Sequence, residues 1–310
     1  MQVQLTQTIP EHFAGKRLDQ ALAKLFPDYS RVRIKSWIIN KEVQVNAAFW
    51  APTDKVRGGE AILINGHVPE AVEWRPEPVA LNVVYADADV IIINKPAGWV
   101  VHPAAGHCGG TVVNAILHHY PECILLPRGG IVHRLDKDTS GLMMIARSVP
   151  AHTALVKAIA ARTVHREYDA IINGEMTGGG TVDAPLGRHP HNRLRMAVVD
   201  SGKTAMTHYR LAQRLCGYTH IICQLETGRT HQIRVHMAHI GYPIVGDPVY
   251  GGRLRLAKDL SEKARLYLGH FKRQALHARK LMFAHPVTGE LLSFTAPMPE
   301  DMQALLRILS

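Results

Sequence analysis

From residue 81 onward the chain is written in strand-length apolar runs. They fall at 83–85, 90–94, 142–146, 168–173, 204–212 and 219–226, and are rich in Val and Ile or alternate apolar with polar side chains. Helical spacing is confined to 112–119, 150–162, 230–239 and 302–309. The two kinds of segment do not alternate regularly, so a repeating βαβ unit is excluded and a mixed α+β sheet domain is expected. No run approaches the ~20 residues a membrane span needs. The first residues lack a basic patch followed by an apolar stretch, so no signal peptide is expected. Cys108, Cys123, Cys216 and Cys223 form no C-x-x-C pair, which argues against a metal knuckle or a disulfide framework. A soluble, cytoplasmic protein is the expectation.

Before residue 81 the pattern differs. Leu18, Ala21, Leu22 and Leu25 recur at helical spacing, and Pro27-Asp28 closes that helix. Ser30 is placed to cap a second helix over 31–39, carrying Arg31, Arg33 and Lys35 outward with Ile34 and Ile38 inward. Residues 43–46 and 61–64 alternate like strands, the second after the Gly58-Gly59 turn. Residues 66–80 are acidic and rich in Pro, as a semi-rigid linker is. A chain of 310 residues, 46% of them hydrophobic, therefore divides into a small α/β unit with the start of the linker (1–75) and a large domain (76–310).

The formal net charge of +10 favours a polyanionic partner. The excess is concentrated in 251–280, where nine basic residues, Arg253 and Arg255 among them, face two acidic ones. A second cluster is Arg188, Arg193 and Arg195. One such run could merely solvate a helix face. Two runs beside a basic small unit favour contact with phosphates.

Three stretches carry the polar chemistry. Residues 129–141 (GGIVHRLDKDTSG) lie between an apolar strand at Ile131-Val132 and the run at 142–145, with glycines at both ends. Such a turn is either a structural one, with Asp136 or Asp138 bonding local N–H groups, or one that faces a ligand. Residues 225–236 (LETGRTHQIRVH) place a turn at Gly228 and a possible helix cap at Thr230. The spacing of His231, His236 and His239 fits no zinc pattern, so no metal is expected. Arg229 stands just before a helix, where a cation gains nothing from the dipole, which suggests a job elsewhere, such as pairing with a carboxylate. In the third stretch Tyr168 shares an inward strand face with Ala170 and Ile172; most tyrosines so placed are core residues.

Together with the tracts Ile93-Asn94-Lys95-Pro96-Ala97-Gly98, Val101-His102-Pro103, Gly246-Asp247-Pro248 and Gln274-Ala275-Leu276-His277-Ala278, these stretches resemble the RNA pseudouridine synthases of the ribosomal large-subunit group, whose signature H-R-L-D-x-x-T-S-G stands intact at 133–141. Module order and the C-terminal half are most similar to the D-type members. Arg17-Leu18-Asp19, Ser30-Arg31, Val43-Gln44-Val45-Asn46 and Gly58-Gly59-Glu60 resemble the alpha-L RNA-binding module. Asn40-Lys41, where a glycine is common, and Glu60, where Asp is common, depart from its pattern.

The resemblance implies a mixed, largely antiparallel central sheet with flanking helices, and isomerisation of uridine to pseudouridine in large-subunit ribosomal RNA, at loop or single-stranded positions. It implies no cofactor, and a monomer is expected. Asp136 inherits the nucleophile's role, Arg229 that of its charge partner, and Tyr168 that of the residue that stacks on the base and helps remove the C5 proton. Arg134, with His133 beside it, matches the residue that enters the RNA as the nucleotide leaves. Arg31, Arg33, Lys35, Arg188, Arg193, Arg195, Arg253 and Arg255 would grip the backbone. Whether Asp136 attacks the sugar or the base, or stabilises positive charge on the ribose, stays open. Two other readings remain beside this one: a non-catalytic RNA-binding assembly factor, and a glycosidase using a second carboxylate such as Glu226 or Asp138.

Overall fold

A computed structural model describes residues 2–67, 74–103, 109–253, 256–257 and 260–310. Two compact units emerge, Met1–Glu73 and Trp74–Ser310. Among the described residues no helix is long and apolar enough to cross a membrane.

In the first unit β1 (Gln2–Thr8), α1 (Leu18–Leu25), α2 (Arg31–Ile39), β2 (Val43–Val45) and β3 (Ala61–His67) form two helices against an antiparallel sheet of order β1-β3-β2. Leu18, Leu22, Ile34, Trp37 and Ile64 are fully buried between them. The Ser30 hydroxyl accepts the Arg33 N–H, as the sequence predicts for α2. Lys41 adopts φ of 60°, which explains why glycine suits that turn. The Glu60 carboxylate accepts the N–H groups of Arg57 and Gly58. Strand β1 has no counterpart in the sequence reading. Its side chains are mostly exposed, so no apolar alternation marks it.

The second unit runs β4 (Val83–Ala86), β5 (Val90–Lys95), α3 (Val112–His119), β6 (Ser140–Ala146), α4 (Val149–Ala160), β7 (His165–Asn173), β8 (Gly180–Asp183), β9 (Leu186–Arg188), β10 (Met196–Val198), β11 (Met206–Leu215), β12 (Tyr218–Leu225), α5 (Gln232–His239), α6 (Glu262–His270), β13 (Leu276–Ala284), β14 (Leu291–Thr295) and α7 (Glu300–Leu309). Nine strands make the central sheet, in order β4-β5-β6-β13-β7-β12-β11-β8 with β14 also on β13. Strands β9 and β10 form a separate hairpin. Every pairing in the central sheet is antiparallel except β6 with β13. The fold is therefore α+β with a largely antiparallel sheet.

Both sheet faces are covered. On β5, Ile91 and Ile93 pack into one core with α3, and Val90 and Ile92 into another with α4. Each such buried aliphatic side chain contributes about 1.5–3 kcal/mol. Where β6 meets β13 the backbones nearly touch: a Cβ on Gly141 (φ +117°) would lie 2.3 Å from the Ala278 carbonyl oxygen. Glycine is required there. The same register sets Ser140, His277 and Asp169 side by side on β6, β13 and β7. The loop entering β6 thus hangs beside Tyr168 on β7. Ile131 makes only an isolated bridge to Ile145, so the strand expected at Ile131-Val132 is instead the start of this loop.

Candidate active site

The loop that carries Asp136 is held at both ends. The Asp136 carbonyl accepts the Thr139 N–H at 3.1 Å, closing a turn. The Thr139 hydroxyl accepts from Gln274 Nε2 at 3.0 Å, and Ser140 Oγ bonds His277 Nδ1 at 2.9 Å, with His277 Nε2 on the Ala296 carbonyl. The tract 274–278 is therefore a clamp for the Thr-Ser of the loop.

Lys95, 1% exposed, holds the middle. Its Nζ donates to the carbonyls of Pro96, Trp99 and Lys137, and the Lys137 carbonyl also accepts the Gly98 N–H. An ammonium has three donors, and all three are used. Burial pushes Lys95 down to about 7, although Asp138 and Asp136 favour its charged form. Between pH 7 and ~10.4 the unfolded chain binds a proton here that the folded chain does not, so this group's contribution to stability rises with pH across that window. Lys95→Met should remove that slope, as followed by urea unfolding at pH 7 to 10. It should also loosen the loop that carries Asp136.

Asp136 itself is 17% exposed at the side chain. Its Oδ2 accepts Arg234 Nη1 at 2.9 Å, and His231 Nε2 lies 3.9 Å from Oδ1. Arg234 comes from the first turn of α5 and is buried. Its Nε and Nη2 fork onto Asp247 at 2.7 and 2.9 Å, and Asp247 further accepts the N–H groups of Val249 and Tyr250. Burial of Arg234 opposes its charge, but Asp247 and Asp136 outweigh that and raise its pKa. The Tyr250 ring lies under the guanidinium, and its hydroxyl ties His231 Nδ1 (2.8 Å) to the Met196 N–H (2.9 Å) of the β9–β10 hairpin. Asp136 is thus an acid fixed by a guanidinium that is itself fixed by a second carboxylate.

A cleft of about 600 Å³ opens over this group. Tyr168, 6% exposed, lines it, and among the described residues its hydroxyl has no hydrogen-bond partner. Burial raises the Tyr168 pKa, the Arg166 guanidinium opposes the rise, and Asp136 adds to it. Arg128, Arg134, Arg162 and Arg229 are exposed in the cleft lining. Glu226, the carboxylate weighed for glycoside hydrolysis, is engaged by Arg162 (3.1 Å) and His208 (2.7 Å).

The structure corrects several expectations. Arg229 is not the partner of Asp136. It lies in the turn before α5, and its Nε donates to the Thr204 carbonyl at 3.1 Å. α5 starts later than the sequence suggests: His231, in a left-handed conformation and with no side-chain capping bond, precedes its first residue where Thr230 is the expected cap, so the arginine that turns inward is Arg234. His133 is not a cationic contact: its Nε2 accepts the Met144 N–H, and burial with the nearby Arg166 charge pushes it down to about 3. Arg31 is committed in part, since it and Arg17 hold the buried Asp19 carboxylate. Arg33 is half-buried and Lys35 exposed on α2.

Arg188, Arg193 and Arg195 are exposed on the β9–β10 hairpin, outside the cleft lining, and Arg253 is exposed after β12 and α5. Arg255 and Cys108 lie outside the described residues. Among the described residues no cluster of three His, Cys, Asp or Glu could hold a metal.

Comparison with known proteins agrees with this geometry. The family profile described as RNA pseudouridylate synthase matches residues 89–239, which span the Asp136 loop, Tyr168 and Arg234. The ribosomal large subunit pseudouridine synthase D of Escherichia coli is 53% identical over 308 residues, 99% of this chain and 94% of that protein. Its Yersinia pestis counterpart is 52% identical over 309 residues, 99% and 95% of the two chains. Among solved structures, human RNA pseudouridylate synthase domain containing 4 superposes with a TM-score of 0.55 at 26% identity, covering 73% of this chain and 93% of that one. Human RNA pseudouridylate synthase domain containing 1 shares the fold, with a TM-score of 0.54 at 24% identity over 74% and 86%. A relative more than half identical along almost the whole length, and a buried arginine of α5 holding the acid of the H-R-L-D loop, lead to one assignment: the chain belongs to the RNA pseudouridylate synthase family.

Proposed function

We propose that this protein isomerises specific uridines to pseudouridine in large-subunit ribosomal RNA. The observation that carries the reading is the Asp136–Arg234 pair, 2.9 Å apart in a cationic cleft. The reaction breaks N1–C1′, turns the base and joins C5 to C1′, with neither a redox step nor a group donor. It calls for a carboxylate, and Arg234 supplies the opposite charge and the hydrogen bond that hold the Asp136 carboxylate in the cleft. Attack on the sugar, attack on the base and stabilisation of a cationic ribose all begin from that state.

Arg134 is exposed in the cleft wall two residues before Asp136, where a planar guanidinium can fill the space an extruded nucleotide vacates. Extrusion costs about a few kcal/mol, least from a loop, which favours loop and single-stranded uridines. The exposed arginines of the β9–β10 hairpin, Arg253 and the α2 face would hold flanking phosphates. An assembly factor without activity has no use for a carboxylate placed among phosphate-binding arginines.

The test is a ribosomal RNA transcript incubated with the protein and mapped for pseudouridine. Product at discrete sites is expected, and RNA binding without product overturns the reading. The Met1–Glu73 unit should act in binding. Deleting it should weaken RNA affinity about tenfold while leaving the single-turnover rate on saturating minimal substrate within about threefold. A truncated protein that binds normally but does not turn over would refute that division.

A further inference from the structure

The floor of the cleft holds two buried arginines, and they differ in one respect. Arg234 is neutralised by Asp136 and Asp247. Arg166, 6% exposed, has neither a carboxylate partner nor, at its buried Nε, a hydrogen-bond partner among the described residues. An isolated buried cation is costly, and folded proteins keep one only where something else supplies its counter-charge. Arg166 lies two residues before Tyr168 on β7, so both side chains share one face, and both line the cleft. Its guanidinium rests against Gly228, where a Cβ would stand 2.7 Å from Nη1. The glycine of the Thr-Gly-Arg turn thus leaves the room this group occupies.

We propose that Arg166 is a catalytic group that stabilises the negative charge developed on the uracil ring when the glycosidic bond breaks. This rests on the function proposed above. As N1–C1′ cleaves, its electron pair stays with the base and spreads over N1, O2 and O4, while C1′ is left electron-poor beside Asp136. C5 then bonds to C1′, the C5 proton departs and a proton returns to N1, so the product is an isomer of the substrate. Throughout the interval between cleavage and rejoining the base is an anion, and it needs a fixed donor away from water.

A backbone phosphate is the competing ligand. The positions of the other arginines disfavour it: Arg128, Arg134, Arg162 and Arg229 are all exposed on the cleft walls, where a phosphodiester stays partly solvated. Among the described arginines of the cleft, Arg166 alone is both buried and without a carboxylate partner, and it is as buried as the tyrosine assigned to the base.

The experiment compares wild type, Arg166→Gln, Arg166→Lys and Gly228→Ala on a ribosomal RNA fragment, reading single-turnover rate and Kd separately. Arg166→Gln should lose about 100-fold in rate, with Kd within about threefold. Arg166→Lys should recover part of the loss, and Gly228→Ala should slow the reaction by displacing the guanidinium without removing its charge. With 5-fluorouridine at the target the base is a better leaving group, so the Arg166→Gln defect in substrate consumption should shrink about tenfold. Arg166→Met should unfold at a temperature no lower than wild type, because the cation it removes is uncompensated.

Equal defects on both substrates, or a loss seen mainly in Kd with a reduced salt dependence, would assign Arg166 to a phosphate and overturn the inference. An active wild type with unimpaired Arg166→Gln overturns the inference alone. A wild type that makes no pseudouridine overturns it together with the proposed function.

Discussion

Asp136→Asn should abolish pseudouridine formation, lowering the single-turnover rate by at least roughly 10⁴-fold, with RNA affinity within a few-fold of wild type. The substitution keeps the shape of the side chain and leaves it able to accept from Arg234 Nη1. It removes the negative charge and the nucleophilic oxygen, on which each chemical route depends. The scaffold should tolerate it: the clamps by Lys95, Gln274 and His277 grip backbone and neighbouring side chains of the loop, not the Asp136 carboxylate. Arg234 keeps its fork on Asp247, so no buried charge is orphaned. Thermal unfolding should therefore shift little, and a dead variant can be read as a chemical defect. Residual turnover within about tenfold of wild type would remove Asp136 from the mechanism.

The reach of the sequence can be judged at the same residues. Asp136 was legible through the resemblance: the intact H-R-L-D-x-x-T-S-G signature at 133–141 singles it out, whereas the charged turn by itself left a structural reading beside the functional one. Gly141 has a mechanical explanation, the near-contact of β6 and β13. The partner of Asp136 was not legible. Arg229 and Arg234 sit five residues apart in one tract, and choosing between them needs the phase of α5. That phase is set by the left-handed turn at His231, which no local propensity announces. One signal was available. Arg234 lies in the first turn of a helix, where a cation is disfavoured. Only strong acidic partners keep it there, and Asp247 in the Gly-Asp-Pro tract is one. The weaker strands β8, β9, β10, β13 and β14 escaped for another reason. Their register comes from neighbouring strands and not from their own alternation.

Removal of Arg234 should lower stability and activity together. In Arg234→Leu, Asp247 is left fully buried without its guanidinium partner, and Asp136 loses its hydrogen-bonded cation. Breaking a buried pair in this way costs about 3–5 kcal/mol, or roughly 10 °C in Tm for a domain of this size. The pH dependence follows from the direction of the Asp247 shift. Burial alone would raise its pKa, but the hydrogen bonds and charge of Arg234 more than offset this and hold it below the usual carboxylate range. Asp247 therefore contributes stability that is fully present above ~3.9, its unfolded value, and is lost only as pH falls through the lower folded value. With Arg234 gone the carboxyl rises above its ordinary value, and acid unfolding should begin at higher pH.

Activity should fall by about 10³-fold or more, because the charge that faces Asp136 and the fork that aims it are lost together. Arg234→Lys separates the two: a lysine restores charge, and hence much of the stability, but a single ammonium cannot span Asp136 and Asp247 with a fixed fork. Asp247→Asn completes the comparison by loosening the fork while leaving the Arg234–Asp136 pair charged. If Arg234→Lys were as active as wild type, charge alone would suffice, and the rigid acid–arginine–acid line would be a feature of stability rather than of catalysis.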